Sequence, residues 1–195
     1  MTALPRRLFT PEEYLLLETR ATKEKSQYVA GEIFAMSGVS PAHDAVCVNL
    51  HGMLYNRLRG RPCRSYTSDM RVEVQGGEMY TYPDATALCG EPRFNTTHNP
   101  PSLLNPQVIF EVLSPSTAVF DRGEKSVLYR GMDSLTDYVL IDPERVRLEH
   151  HARQPDGSWH LRAYDSLAHR IELPALECAL PLAEIYERVD PPGRA

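Results

Sequence analysis

The feature that most constrains this chain is a short apolar run with one carboxylate inside it: Val108-Ile109-Phe110-Glu111-Val112-Leu113. From Gln107 to Leu113 the length and the β-branched and aromatic content predict a central strand, buried on both faces. A carboxylate there costs several kcal/mol if left unpaired, or else takes up a proton, so it needs a cation, a metal ion or hydrogen-bond donors beside it. Two arrangements satisfy Glu111. One is an arginine partner or an exposed strand face, and the other is a reactive centre.

The rest of the chain reads as helices and strands around that run. Thr10-Pro11-Glu12-Glu13 offers a capping hydroxyl, proline at the first helical position and a carboxylate three residues past the cap, which predicts a helix to about Thr22. Tyr28, Val29, Ile33 and Phe34 around Gly31 predict strands or a hairpin. Pro41 opens a second helix reaching about Arg59, with Val46, Leu50, Met53, Leu54 and Leu58 as one apolar stripe. Strands are expected at Arg64 to Thr67, Met70 to Val74 and Met79 to Leu88, with Gly76-Gly77 as a turn.

Residues 90 to 106, rich in Pro, Asn and Thr, read as a long loop. Asp121-Arg122-Gly123-Glu124 resembles a helix start, with the helix ending near Gly131. Later strands are expected at Asp137 to Ile141, Val146 to His151 and Trp159 to Tyr164, then a short helix from Leu182 to Tyr186 and a disordered tail from Asp190.

Length and composition bound the function classes. At 195 residues with 42% hydrophobic and 24% charged side chains, the chain suits one domain able to bury a core without a structural metal. No run approaches the roughly 18 to 20 apolar residues that span a bilayer, so no membrane partner is expected. The first residues lack the pattern of a signal peptide. Cys47, Cys63, Cys89 and Cys178 are dispersed without a CxxC pair, which reads as four buried free thiols in a reducing cytoplasm. A net charge of −5 argues against coating nucleic acid by electrostatics alone. It leaves room for an enzyme whose acidic centre is offset by a bound cation.

Two residues are natural companions for Glu111. Asp84 follows Tyr82-Pro83, and the proline, unable to donate to a sheet ladder, favours an edge or bulge that re-aims the next side chain. Pro-Asp is also a common turn dipeptide. If the strands of Asp84 and Glu111 are neighbours, the two carboxylates can share a hard cation such as Mg²⁺. Lys125 shares a helical face with Leu128, Tyr129 and Met132, in a helix that Asp121 would cap. It either snorkels from the rim of that face or looks inward toward Glu111. Two carboxylates and a lysine are the parts that phosphodiester hydrolysis needs.

Seven stretches carry a resemblance to a known family: Lys25-Ser-Gln-Tyr-Val-Ala-Gly-Glu32, Ser40-Pro-Ala-His43, Ser68-Asp-Met-Arg-Val72, Tyr82-Pro-Asp84, Phe110-Glu-Val-Leu-Ser-Pro-Ser-Thr117, Asp121-Arg-Gly-Glu-Lys125 and Tyr138-Val-Leu-Ile-Asp142. In this order, over about residues 8 to 188, they resemble the Uma-two family of restriction-endonuclease-like proteins in the PD-(D/E)XK superfamily. The resemblance implies an α/β fold with a mixed central sheet flanked by helices, and a divalent cation at Asp84 and Glu111. Lys125 takes the lysine role from the following helix, because the carboxylate-X-Lys pattern here reads Glu111-Val112-Leu113. Glu32 and His43 fall on further motif positions, with implied supporting roles in catalysis for Glu32 and toward substrate for His43. Gln27 and Ala30 depart from the pattern, standing where family members often have Glu and Asp.

Arg57, Arg59, Arg61 and Arg64 are the densest basic cluster and read either as phosphate contacts or as a solvated helix end whose cations complement the dipole. His150 and His151 alternate on one strand and do not share a metal. The expectation is a Mg²⁺-dependent endonuclease, with Mn²⁺ as substitute, acting on DNA in the cytoplasm. A homodimer would suit double-strand cleavage. The alternatives are a weak or inactive descendant that binds nucleic acid or a protein partner, and a metal-dependent phosphoesterase with another substrate.

Overall fold

The computed structural model describes residues 8–21, 25–36, 38 and 40–189. The N-terminal segment, the end of the first helix expected at Thr22 and the tail from Asp190 lie outside the described residues. No helix among the described residues is long and apolar enough to cross a membrane.

Helix α1 (Pro11–Arg20) begins as its sequence predicts, with Thr10 and Glu13 closing a reciprocal capping box. Strands β1 (Ser26–Val29) and β2 (Glu32–Ala35) form an antiparallel hairpin, turned at Ala30 and Gly31, both at positive φ. Helix α2 (Pro41–Leu58) follows, capped by Ser40. Its stripe of Val46, Leu50, Met53, Leu54 and Leu58 is buried.

Next come β3 (Cys63–Thr67), β4 (Arg71–Val74), β5 (Met79–Thr81) and β6 (Ala85–Cys89). The strand expected from Met79 to Leu88 is therefore two strands, interrupted at Tyr82-Pro83-Asp84. The halves join different sheets, β5 beside β1 and β4, and β6 beside β3. The expected loop of residues 90 to 106 holds two short strands, β7 (Phe94–Asn95) and β8 (Ser102–Leu103), which pair with each other, while β8 runs parallel to β4.

Strand β9 (Val108–Val112) is buried along its whole length. A crossover through α3 (Ala118–Arg122) and α4 (Glu124–Arg130) leads to β10 (Asp137–Asp142), parallel to β9. Asp121 is not a cap, because it lies within α3 and its side chain is buried. β11 (Arg147–Arg153) and β12 (Trp159–Tyr164) extend the sheet antiparallel. A hairpin that the sequence reading lacked, β13 (Arg170–Leu173) with β14 (Cys178–Pro181), precedes α5 (Leu182–Ile185).

Among the described residues the strands make two six-stranded mixed sheets, ordered β12-β11-β10-β9-β6-β3 and β2-β1-β5-β4-β8-β7, besides the C-terminal hairpin. The architecture is mixed α/β, as expected, with the strands divided between two large sheets. Alternation along β9 explains the layering. Val108, Phe110 and Val112 pack against α2, the hairpin and α5. Ile109 and Leu113 pack against α4 and the inner face of the second sheet, through Val72, Val74, Met79 and Leu103. That sheet turns its other face, at Tyr28 and Tyr80, toward Tyr14 and Leu15 of α1.

The expectation of four free thiols fails for one pair. Cys63 and Cys89 are cross-strand partners on β3 and β6 and form a disulfide, whereas Cys47 and Cys178 are free and partly buried. The juxtaposition depends on strand pairing across 26 positions, which spacing alone does not reveal.

The α3–α4 crossover is tied to the sheet by charge. Arg122 Nε lies 3.1 Å from Glu149 Oε2 on β11, and Arg147 Nε lies 3.2 Å from Glu149 Oε1. Burial pushes the Glu149 carboxyl up, but the two guanidiniums outweigh it and leave its pKa below the ordinary 4.5. A depressed folded pKa stabilises the protein above the unfolded value, and that stabilisation is lost as pH falls through the folded value. Urea unfolding should therefore show wild type above Glu149→Gln at neutral pH, with the difference closing below pH 4.5. A difference independent of pH would show that the ion pairs do not contribute.

Candidate active site

Glu111 shares the face of β9 on which α4 packs, so the helix residues one turn apart, Lys125 and Tyr129, both reach it. Lys125 Nζ lies 2.8 Å from Glu111 Oε1, and the Tyr129 hydroxyl donates to the same oxygen at 2.8 Å. Lys125 also donates to Asp121 Oδ1 at 3.2 Å, four residues earlier. The side chains of Glu111, Asp121 and Lys125 are 7%, 3% and 4% exposed, so water screens these contacts little.

The charges in this cluster do not balance. Burial pushes the Glu111 carboxyl up to about 8 even with Lys125 beside it, and Asp121 and Asp84 add to the rise. Burial pulls Lys125 down, but Glu111 and Asp121 outweigh that and hold its ammonium above the ordinary value. One ammonium thus serves two buried carboxylates, with Asp84 as a third acid nearby. Protonating Glu111 relieves the excess, and a bound dication would relieve it too.

Asp84 arrives from the bend that Pro83 makes ahead of β6. The Val112 N–H donates to Asp84 Oδ2 at 2.7 Å, fixing the carboxylate at the end of β9. His43 Nε2 stands 3.6 Å from the same oxygen. Burial lowers the His43 pKa, but Asp84 outweighs it and the net shift is upward. Cys47, one turn along α2, places Sγ 3.5 Å from His43 Nδ1. Its thiol is pushed far above the ordinary value by burial, with Asp84 and Asp44 adding to the rise.

Asp84, Glu111, Lys125, His43 and Asp121 all line one cavity of about 370 Å³. Phe34 of β2 and Phe120 of α3 also line it, with ring centroids 5.5 Å apart, and Ser114, Ser116 and Thr117 add hydroxyls. Gln27 is buried in its wall, where the Thr81 hydroxyl donates to Gln27 Oε1 at 3.1 Å. The carboxylates present oxygen donors of the kind that Mg²⁺ or Mn²⁺ prefers, so Asp84 and Glu111 fit a hard divalent cation.

Other sequence candidates lie elsewhere. Glu32, at the start of β2, is not among the cavity-lining residues. Arg57 and Arg61 sit near the opposite end of α2, about 20 Å along the helix from His43. Arg57 donates to Ala179 O and pairs with Glu184, and Arg61 donates to Leu176 O and pairs with Glu177. They hold the C-terminal hairpin and α5 to α2. Arg59 is exposed beyond the helix end. His150 is buried against Asp137 at 2.6 Å and His151 lies against the Tyr138 ring, on different faces as expected.

Asp121, Tyr129 and Cys47 escaped the sequence reading as site residues. For Tyr129 and Cys47 the signal was i,i+4 spacing, to Lys125 on α4 and to His43 on α2, whereas Asp121 meets Lys125 across the non-helical Gly123 between α3 and α4, which spacing did not reveal.

Residues 11–183 match the Uma2 family model, described as "Putative restriction endonuclease". Two Synechocystis sp. proteins, the uncharacterized sll1609 and slr1290, are similar to the chain. The first is 37% identical over 161 residues, 83% of this chain and 90% of its own. The second is 34% identical over 177 residues, 91% of this chain and 90% of its own. The crystal structure of "a putative nuclease belonging to DUF820" from Anabaena variabilis superposes with a TM-score of 0.71 at 17% identity, covering 91% of this chain and 97% of the other, which shows a shared fold.

The cluster predicts an order of stabilities in metal-free buffer. Lys125→Met strands two buried carboxylates and should cost about 3–5 kcal/mol. Glu111→Gln leaves Lys125 paired with Asp121 and should cost clearly less. Urea unfolding of both variants checks this, and the reverse order would mean that Lys125 is not the shared cation.

Proposed function

The chain belongs to the Uma2 family, and from that premise we propose that it is a divalent-metal-dependent endonuclease hydrolysing DNA phosphodiester bonds, its site carried by a single nuclease-like domain. The observation that supports this most directly is the convergence of Asp84, Glu111 and Lys125 on one cavity, with Lys125 Nζ 2.8 Å from Glu111 Oε1.

Asp84 and Glu111 would hold Mg²⁺, or Mn²⁺ in its place, and the cation would supply Lewis acidity to the phosphoryl oxygen and to the attacking water. The chain's own residues set up the rest. The Val112 N–H holds Asp84 in place. Tyr129 and Lys125 fix one Glu111 oxygen, so the carboxylate need not reorganise during the reaction. Asp121 pins the Lys125 ammonium at the cavity, where it would offset charge growing on a phosphate. His43, on the same wall, is shifted by Asp84 toward its positive form and would bring a polar imidazole to the substrate.

Phe34 and Phe120 offer an apolar lip on which a base or sugar next to the scissile phosphate could rest. With a net charge of −5, affinity for DNA would come from this local constellation more than from the molecule's overall field. Two copies would place two such centres for cutting both strands.

One observation favours a second reading, a nucleic-acid-binding protein with little turnover. Gln27, standing where family members often have a carboxylate, puts a neutral amide in the cavity wall. One assay addresses both readings. Supercoiled plasmid should be nicked or linearised by wild type with Mg²⁺ or Mn²⁺. Asp84→Ala and Glu111→Ala should lose at least about 100-fold in rate, the scale of removing one preorganised catalytic group, while keeping a folded circular dichroism spectrum. Binding of the plasmid without cleavage would favour the second reading. Equal cleavage by all three proteins would remove this centre from the chemistry.

A further inference from the structure

A group next to the proposed catalytic carboxylates has no part in that chemistry: the Cys47 thiol. Helix α2 sets His43 and Cys47 one turn apart on the same face, and the bend before β6 brings Asp84 to them. One ligand atom from each of the three lies within 4.8 Å of the others. Sγ of Cys47 is 3.5 Å from His43 Nδ1, and His43 Nε2 is 3.6 Å from Asp84 Oδ2.

We propose that His43, Cys47 and Asp84 form a binding site for a borderline divalent cation of the zinc class, overlapping the hard-cation site at Asp84. The donor set decides the class of ion. Sulfur, imidazole nitrogen and carboxylate oxygen together suit Zn²⁺ or Co²⁺, whereas Mg²⁺ takes oxygen and keeps its waters. Ligands in a tetrahedral zinc site stand roughly 3.3–3.8 Å apart. The 3.5 and 3.6 Å separations run to different ring nitrogens and an ion takes only one, so the binding trio is the set with one atom per residue within 4.8 Å of the others, and its widest pair would need to close by at most about 1.5 Å.

Coordination uses one nitrogen of the neutral imidazole and the Cys47 thiolate, and the thiol proton, with that of any imidazolium, is released to solvent. Three protein ligands leave a fourth position for water or substrate, as in zinc sites that exchange their ligands. Val112 N–H donates to Asp84 Oδ2, the kind of support that orients a metal-binding carboxylate.

The consequence is competition. Asp84 held by zinc is withdrawn from the hard cation, so Zn²⁺ would inhibit rather than support the nuclease. This consequence rests on the proposed function, while the binding site does not.

Co²⁺ serves as the visible probe, added to the whole protein, because thiolate coordination gives a near-ultraviolet charge-transfer band. We expect one equivalent to produce the band in wild type and in Cys178→Ser, which removes the other free thiol. Zn²⁺ should bleach it and an excess of Mg²⁺ should leave it. Cys47→Ser should abolish the band and weaken Zn²⁺ binding at least about 100-fold by calorimetry, no less than the loss of an outer-sphere partner costs. No band, or a band surviving in Cys47→Ser, overturns the site. In the plasmid assay, Zn²⁺ at micromolar concentration should inhibit wild type and spare Cys47→Ser, and equal inhibition of both would overturn the competition. A protein that cuts no plasmid still gives the cobalt result, so failure of the zinc site and failure of the nuclease reading remain separable.

Discussion

The structure turns on one buried contact, the Glu111 carboxylate against the Lys125 ammonium. A charged group on the central strand is expensive, and the surrounding elements are arranged around neutralising it. The α3–α4 crossover lies on that face of β9, and its turn-by-turn spacing delivers a hydroxyl, an ammonium and a second carboxylate to the same place. The apolar contacts of Tyr129, Leu113 and Leu140 exclude water around them. That dryness raises the cost of the charge and the strength of every contact made to it.

The opposite face of the same strand has a different task. Val108, Phe110 and Val112 give α2 and the C-terminal hairpin a purely apolar surface, so the bulk of core packing there carries no chemistry. The site forms where the two layers meet, at the end of β9. Backbone there is no longer committed to the ladder on one side, and the Val112 N–H is free to take Asp84. Pro83 is the hinge of this arrangement. By ending β5 and sending β6 to the other sheet, it leaves Asp84 between them, facing His43 at the start of α2.

The two proposed cation sites share Asp84. Glu111 lies toward the lysine and Asp84 toward the imidazole, with the Cys47 thiol behind the cavity lining, so the donors around Asp84 grade from hard oxygen to softer atoms. Which ion is held would depend on which neighbours Asp84 is recruited to.

Local pattern determined much of this protein. The capping box at Thr10, the stripe of α2, the buried strand at 108–112 and the later strands were legible because periodicity and capping are properties of adjacent residues. So was the conflict at Glu111, since a carboxylate in an apolar run is anomalous in any fold. Other features were decided only by tertiary structure. Whether Met79 to Cys89 is one strand or two depends on which sheet each half finds. The disulfide follows from the register of β3 against β6, and the occupation of Arg57 and Arg61 from the docking of the C-terminal hairpin. Each of these is a contact between residues distant in sequence, and the free energy that selects it comes from surfaces that meet only when the chain has folded.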